Sequence, residues 1–354
     1  MDDDRADRLH REAIVIDIHN DILMPLADGK MRLNQRVDLP DPATWEPPLG
    51  LVPTELAKLG NYPPHTAFYQ TMGLYDVPRL LEGGVTVEGY AIYIENGQID
   101  HALKRGLEMV YCLKREAAEN ESFELVTTVA DIHRIKREGK TGGFLALEGF
   151  EPLACDLRML DLYYDLGLRM ASLTHSRRNY FADGTHRNGG AYGGLTNLGR
   201  QAVKRMNELG IVVDVVHLAL PGIWELLEIA EAPVVLSHTS PTRGFYPDYH
   251  GEANTRKLLD AIAANGGVVA IIAYNQPSLD TFIDDIDYVI AAVGPDHVGL
   301  GTDFFGIERA PTGFVGMQDT PNVTRRLVER GHSDEVIRKV LGGNFLRVFA
   351  QVWR

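Results

Sequence analysis

The chain is short of cysteine, short of basic residues and without a long apolar run. Its 354 residues include two cysteines, Cys112 and Cys155, too few for a disulfide framework or a cysteine-type zinc site. Lysine and arginine total 35 against 49 acidic residues, giving a formal net charge of −14. That balance argues against a nucleic-acid or anionic-membrane partner. Every apolar run falls far short of the ~18 residues that signal a membrane span. The first residues, Met-Asp-Asp-Asp-Arg, are acidic and show no apolar leader core, so a soluble, cytoplasmic protein is the expectation. No Gly-x-Gly-x-x-Gly follows the first apolar run, which weakens a dinucleotide-binding reading. The remaining composition, 45% hydrophobic and 24% charged, is ordinary for a globular enzyme with a sizeable core.

What the chain does have is alternation. Short apolar runs at 13–18, 84–94, 142–147, 168–173, 211–216, 234–236, 268–272 and 297–300 read as eight strands. Helical spacing lies between them, at about 100–120, 157–166, 197–209, 223–230, 255–264 and 282–293. A polar lead-in carries a short helix over 7–12, Ser333 caps a helix near the end, and a last amphipathic helix covers 344–353. Gly210 suits a helix C-cap, and Pro221 suits the first turn of the next helix. Eight βα units imply a parallel sheet closed as a (β/α)₈ TIM barrel in one domain, 1–354; a doubly wound open sheet is the alternative. Residues 24–70 are the exception, crowded with Pro40, Pro42, Trp45, Pro47, Pro48, Pro53, Pro63, Pro64 and Phe68. Their aromatics favour packing over disorder, so this stretch reads as an insertion after strand one that covers the site.

Chemistry gathers at the strand ends. The first run, Ile14-Val-Ile-Asp-Ile-His-Asn-Asp21, stops at His19 and Asp21, two residues apart and therefore on one side of an extended chain. Glu148, His175, His217, His238, Tyr274 and Asp303 follow the third to eighth runs, so four of the 12 histidines fall at strand ends. In a barrel those positions converge on one mouth. Histidine with carboxylate is a ligand set suited to Zn²⁺ or a similar divalent ion. Two histidines and several carboxylates are enough for two ions sharing one carboxylate. Such a pair, roughly 3.5–4 Å apart, holds a hydroxide that is nucleophilic at neutral pH and polarises a scissile carbonyl. A further acid such as Asp303 can take the proton and pass it to the leaving group. This is the outline of a metal-assisted amide or ester hydrolase.

The ordered fragments resemble the membrane (renal) dipeptidase family, metallopeptidases of the amidohydrolase superfamily. They include Asp17-Ile-His-Asn-Asp21, Ala146-Leu-Glu-Gly149, Leu173-Thr-His175, Asp214-Val-Val-His217, Ser237-His238-Thr-Ser240, Tyr274-Asn275 and His297-Val-Gly-Leu-Gly-Thr-Asp303. The resemblance spans about 12–349. It implies one zinc on His19, Asp21 and Glu148, with Glu148 and a hydroxide bridging to a second zinc on His217 and His238. It implies His175 against the substrate carbonyl or tetrahedral intermediate, and Asp303 as proton carrier. It also implies a dipeptide substrate, with a D-residue accepted at the C-terminal position, and a homodimer. Two positions depart from the family. Ala253 stands where an arginine grips the dipeptide carboxylate, and Phe305 where a second acid follows Asp303. Arg243 is the substitute expected to take the carboxylate, with Tyr274 also lining the substrate. The loss at Ala253 keeps a second reading open, hydrolysis of a non-dipeptide amide, lactam or lactone.

Overall fold

The computed structural model describes residues 2–36, 73–185, 193–243, 252–307 and 309–354. Nine parallel strands run through them: β1 (Ile16–Asn20), β2 (Val87–Tyr93), β3 (Phe123–Leu125), β4 (Thr141–Glu148), β5 (Leu168–Ser172), β6 (Val212–Asp214), β7 (Val235–Thr239), β8 (Val268–Ile271) and β9 (Val298–Leu300). The pairing runs β2-β1-β9-β8-β7-β6-β5-β4 and closes through β2 against β4, so eight strands form a barrel with helices around it. This is the expected (β/α)₈ TIM barrel. β-branched and leucine-rich strands buried on both faces are what a parallel barrel requires, and β1, β4, β5 and β7 are buried along their whole length.

β3 is the strand outside the expected eight. It pairs with Thr141–Gly143 at the start of β4, and β5 takes over the same edge from Leu145. Three residues with a glutamate in the middle carry too little period to be read as a strand. The strand ends also extend further than their apolar runs. His19, Glu148 and His238 lie within β1, β4 and β7, because a polar side chain aimed into the mouth does not interrupt the backbone ladder.

The first helix is longer than expected, Asp2–Glu12, and lies against the helix Thr320–Glu329. Arg325 reaches Asp7 at 2.8 Å. The last helix, Asn344–Val352, sends Phe345, Val348 and Phe349 into a cluster with Ile16, Val87, Val212, Val235 and Val268, the opening residues of their strands. An apolar plug therefore fills the end of the barrel where the strands begin. Part of the 24–70 stretch is ordered packing. A short helix, Leu23–Ala27, buries Leu23, Met24, Pro25 and Leu26, and Arg32 pairs with Glu116 on the helix Ala102–Ala118 and with Glu119, which caps its end. The expected cover over the site falls on 37–72, outside the described residues.

Candidate metal centre and active site

The barrel brings His19, Asp21, Glu148, His175, His217, His238 and Asp303 together at its mouth. His19 Nε2 lies 3.5 Å from an Asp303 carboxylate oxygen, 3.7 Å from Glu148 and 3.9 Å from Asp21. Glu148 Oε1 is 3.0 Å from His217 Nε2, 3.7 Å from His238 Nε2 and 4.0 Å from His175 Nε2. The His217 and His238 Nε2 atoms face each other at 3.0 Å. Among the described residues, three groups hold ligand atoms within 4.8 Å of one another: His19, Asp21 and Glu148; Glu148, His175 and His217; and His19, His238 and Asp303. Glu148 is common to two of them. The grouping by distance thus ties His175 to His217, and Asp303 to His238, more closely than the resemblance implies.

Local structure explains the convergence. His19 and Asp21 emerge from β1 on one side. His217 follows β6 with φ of 57°, and Asp303 follows β9 with φ of 59°. Both are left-handed, a conformation that costs a non-glycine residue about 1 kcal/mol or more and concentrates at functional sites. Hydrogen bonds stitch the first and last strands together here: Asp303 N–H donates to the His19 carbonyl (3.0 Å) and Asp21 N–H to the Phe304 carbonyl (2.9 Å). Gly306 lies alongside, where a methyl group would sit 2.4 Å from Asp303 Oδ1 and 2.5 Å from Asp21 Oδ2.

The electrostatics suit a bound cation. His19 is 1% exposed, and neither ring nitrogen has a hydrogen-bond partner; Asp21 Oδ1 and Glu148 Oε2 are equally orphaned. Burial pushes His19 down to about 3, with His217 adding to the effect, and lowers His238 well below the usual imidazole range. Burial raises Glu148 to about 8, followed by repulsion from Asp214; Asp21 is raised by burial, Glu148 and Glu95. Neutral imidazoles and carboxylates that resist ionising both gain from a divalent ion, which replaces the missing partners. The donor set and its unsatisfied atoms fit such a metal.

Several supporting residues were not singled out by strand-end position alone. Asp17 in β1 accepts from Thr302 N–H (2.8 Å) and the Thr302 hydroxyl, clamping β9. Asp214 in β6 accepts from Ser237 N–H (3.1 Å) and Val216 N–H (3.0 Å), clamping β7. Burial raises both aspartates to about 6. Their signal is an aspartate inside a β-branched run, two or three residues before a histidine. Tyr93, at the end of β2, packs its ring 4.5 Å from that of His175, with the Arg177 guanidinium 5.5 Å above it. His175 Nδ1 pairs with Ser176 Oγ at 2.7 Å.

The expected substrate residues lie around the same mouth. Arg243 follows β7, half-buried, and its Nε donates to Gln276 at 2.8 Å. Tyr274, also half-buried, follows β8. Ala253 is exposed in the helix Glu252–Ala264, and Phe305 is left-handed (φ 71°) and half-buried against the core.

The model of the membrane dipeptidase family, peptidase family M19, matches residues 3–354. The chain belongs to this family. It is therefore a metal-dependent hydrolase, a metallopeptidase of the dipeptidase type. The dipeptidase aclJ of Aspergillus oryzae is 30% identical over 311 residues, covering 82% of this chain and 72% of its own length. Two solved structures share the fold. The probable dipeptidase PvdM of Pseudomonas aeruginosa is 21% identical with a TM-score of 0.80, covering 99% of this chain and 98% of its own. A metallopeptidase of Rhodobacter sphaeroides, liganded with a phosphinate mimic of L-Ala-D-Ala, is 23% identical with a TM-score of 0.75, covering 97% and 100%. No helix among the described residues is long and apolar enough to cross a membrane.

Proposed function

We propose that this M19 chain is a binuclear zinc dipeptidase, a single-domain cytoplasmic enzyme working as a homodimer. The observation that carries the reading is the set of buried atoms without partners, His19 Nδ1 and Nε2, Asp21 Oδ1 and Glu148 Oε2, beside His217 and His238. His19, Asp21 and Glu148 would hold one zinc, and Glu148, His217 and His238 the other; such a pair would supply a water acidic enough to attack at neutral pH and an electrophile for the scissile carbonyl.

The protein's own groups do the rest. Asp303, with an oxygen 3.5 Å from His19 Nε2, takes the proton given up by the attacking water and delivers it to the leaving amine. His175 points Nε2 inward, 4.0 Å from Glu148. Were the Ser176 hydroxyl to donate to Nδ1, 2.7 Å away, the ring proton would sit on Nε2 and meet the oxygen that gains negative charge. Arg243 takes the free C-terminal carboxylate, and Tyr274 lines the substrate.

The test is hydrolysis of an L-Xaa-L-Xaa and L-Xaa-D-Xaa panel by fully zinc-loaded protein. The D-residues are included because the Rhodobacter sphaeroides relative carries a mimic of L-Ala-D-Ala. Cleavage of at least some members at two zinc ions per chain is expected, and a panel wholly untouched sinks the dipeptidase reading. Ala253 favours the second reading, an amide, lactam or lactone lacking that carboxylate; indifference to a free carboxylate would establish it.

A further inference from the structure

We propose that Asp285, acting through Gln276, is a positioning residue that fixes the Arg243 guanidinium for the substrate carboxylate. The inference rests on the reading of Arg243 given above. Asp285 lies on the helix Leu279–Val293 and is 0% exposed, surrounded on its own helix by buried Phe282, Ile283, Ile286 and Val289. A buried carboxylate is costly unless its oxygens are satisfied. Asp285 is satisfied by Ser240 Oγ (2.6 Å), the Thr242 hydroxyl and Gln276 Nε2 (2.6 Å). Ser240 and Thr242 belong to the turn after β7, and Gln276 to the loop after β8. One carboxylate therefore ties two loops of the mouth together.

The tie determines which way the glutamine faces. Its NH₂ is spent on Asp285, so its oxygen is what Arg243 meets, and Arg243 Nε donates there at 2.8 Å. The Arg243 backbone N–H donates to Ser240 Oγ at 3.2 Å, so the same carboxylate holds both ends of the residue. Among the described residues the terminal nitrogens of Arg243 take no hydrogen bond. A direct Asp–Arg pair would occupy that two-pronged edge and neutralise it. An interposed amide restrains only Nε and leaves the edge, with its charge, for a carboxylate. Restraint beforehand also lowers the rotamer entropy lost on binding.

Steady-state kinetics of the zinc-loaded enzyme on a cleaved dipeptide and on its C-terminal amide test this. Gln276→Met keeps the length and removes the acceptor. It should raise KM for the dipeptide about tenfold, the loss of one charge-assisted hydrogen bond, with a much smaller change in kcat. The preference for the dipeptide over its amide should fall by a similar factor. Asp285→Asn should shift KM the same way. If it does not fold, Gln276→Met decides alone, since that side chain lies in a loop. An unchanged KM in Gln276→Met, with KM raised in Arg243→Ala, overturns the positioning role and leaves Arg243 as the anchor. An unchanged KM in Arg243→Ala overturns both.

Discussion

His10 and His19 are both buried, 5% and 1% exposed, and their surroundings are opposite. His10 sits in the first helix, where Nδ1 meets Thr324 Oγ1 and Nε2 meets the Gly83 carbonyl, each at 2.7 Å. His19 sits at the barrel mouth with neither nitrogen hydrogen-bonded and three carboxylates within 3.9 Å. Burial lowers both from the ordinary imidazole range, but the Gly83 carbonyl partly restores His10. The aspartates repeat the contrast: Asp17 takes two hydrogen bonds from Thr302, while one oxygen of Asp21 takes none. Burial alone therefore does not distinguish scaffold from site. What sets the mouth apart is that several such unpartnered atoms, on His19, Asp21 and Glu148, face one another within ligand distance.

Variants at the two histidines sharpen this contrast most. If His19 is the metal ligand proposed above, His19→Ala should remove activity by about 10³-fold or more, with lost metal stoichiometry measured on the purified protein. Asp303→Asn should lower kcat by about 10²–10⁴-fold. Its thermal midpoint should stay close to wild type, because asparagine tolerates the left-handed backbone there. A large fall in midpoint would mean that Asp303 serves the fold. Gly306→Ala comes next: its methyl must displace Asp21 or Asp303, and about a tenfold loss of metal affinity is expected by titration. His10→Ala should be the smallest in activity, with kcat/KM per folded molecule unchanged. Its cost should appear as about 1–3 kcal/mol in denaturant unfolding, because Thr324 and Gly83 lose their partner. Lost activity in folded His10→Ala would break the comparison.

Metal removal adds a pH signature. In the stripped protein Glu148, raised to about 8 from an ordinary 4.5, stays protonated when the chain is folded and ionises when it unfolds. Its contribution to stability is present in full below about 4.5 and is lost as pH rises towards about 8. His19, lowered to about 3, is neutral in the folded chain throughout the upper part of that window. The thermal midpoint of stripped protein should therefore fall between about pH 7 and pH 8, and zinc affinity should rise as the proton becomes easier to displace. A flat midpoint in stripped protein, or zinc affinity indifferent to pH there, would contradict the shift at Glu148.

The barrel was legible because its strands are buried on both faces and read as apolar runs, and the site because imidazoles and acids punctuate those runs. β3 escaped because Phe123-Glu-Leu125 is too short to show a period. The helix Val129–Glu138 is short, with Val129, Ile132 and Ile135 facing the core behind a Thr128–Asp131 capping box. Asp285 was invisible for a different reason. An acid on an amphipathic helix looks like solvent-facing charge until the fold shows that it points inward. The clamps at Asp17 and Asp214 were partly readable, as acids inside strands, but their partners were not: Ser237 comes from the neighbouring strand β7, and Thr302, just past β9, meets Asp17 only where the barrel closes.

The hydrogen bonds between Asp303 and His19, and between Asp21 and Phe304, join the first barrel strand to the last. These bonds join residues nearly the whole chain apart, so the mouth takes its shape only where the barrel is closed. Contacts of such wide sequence separation are slow to form. A chain whose barrel is open therefore lacks the assembled mouth, so on the proposed reading activity and metal capture would report closure of the barrel.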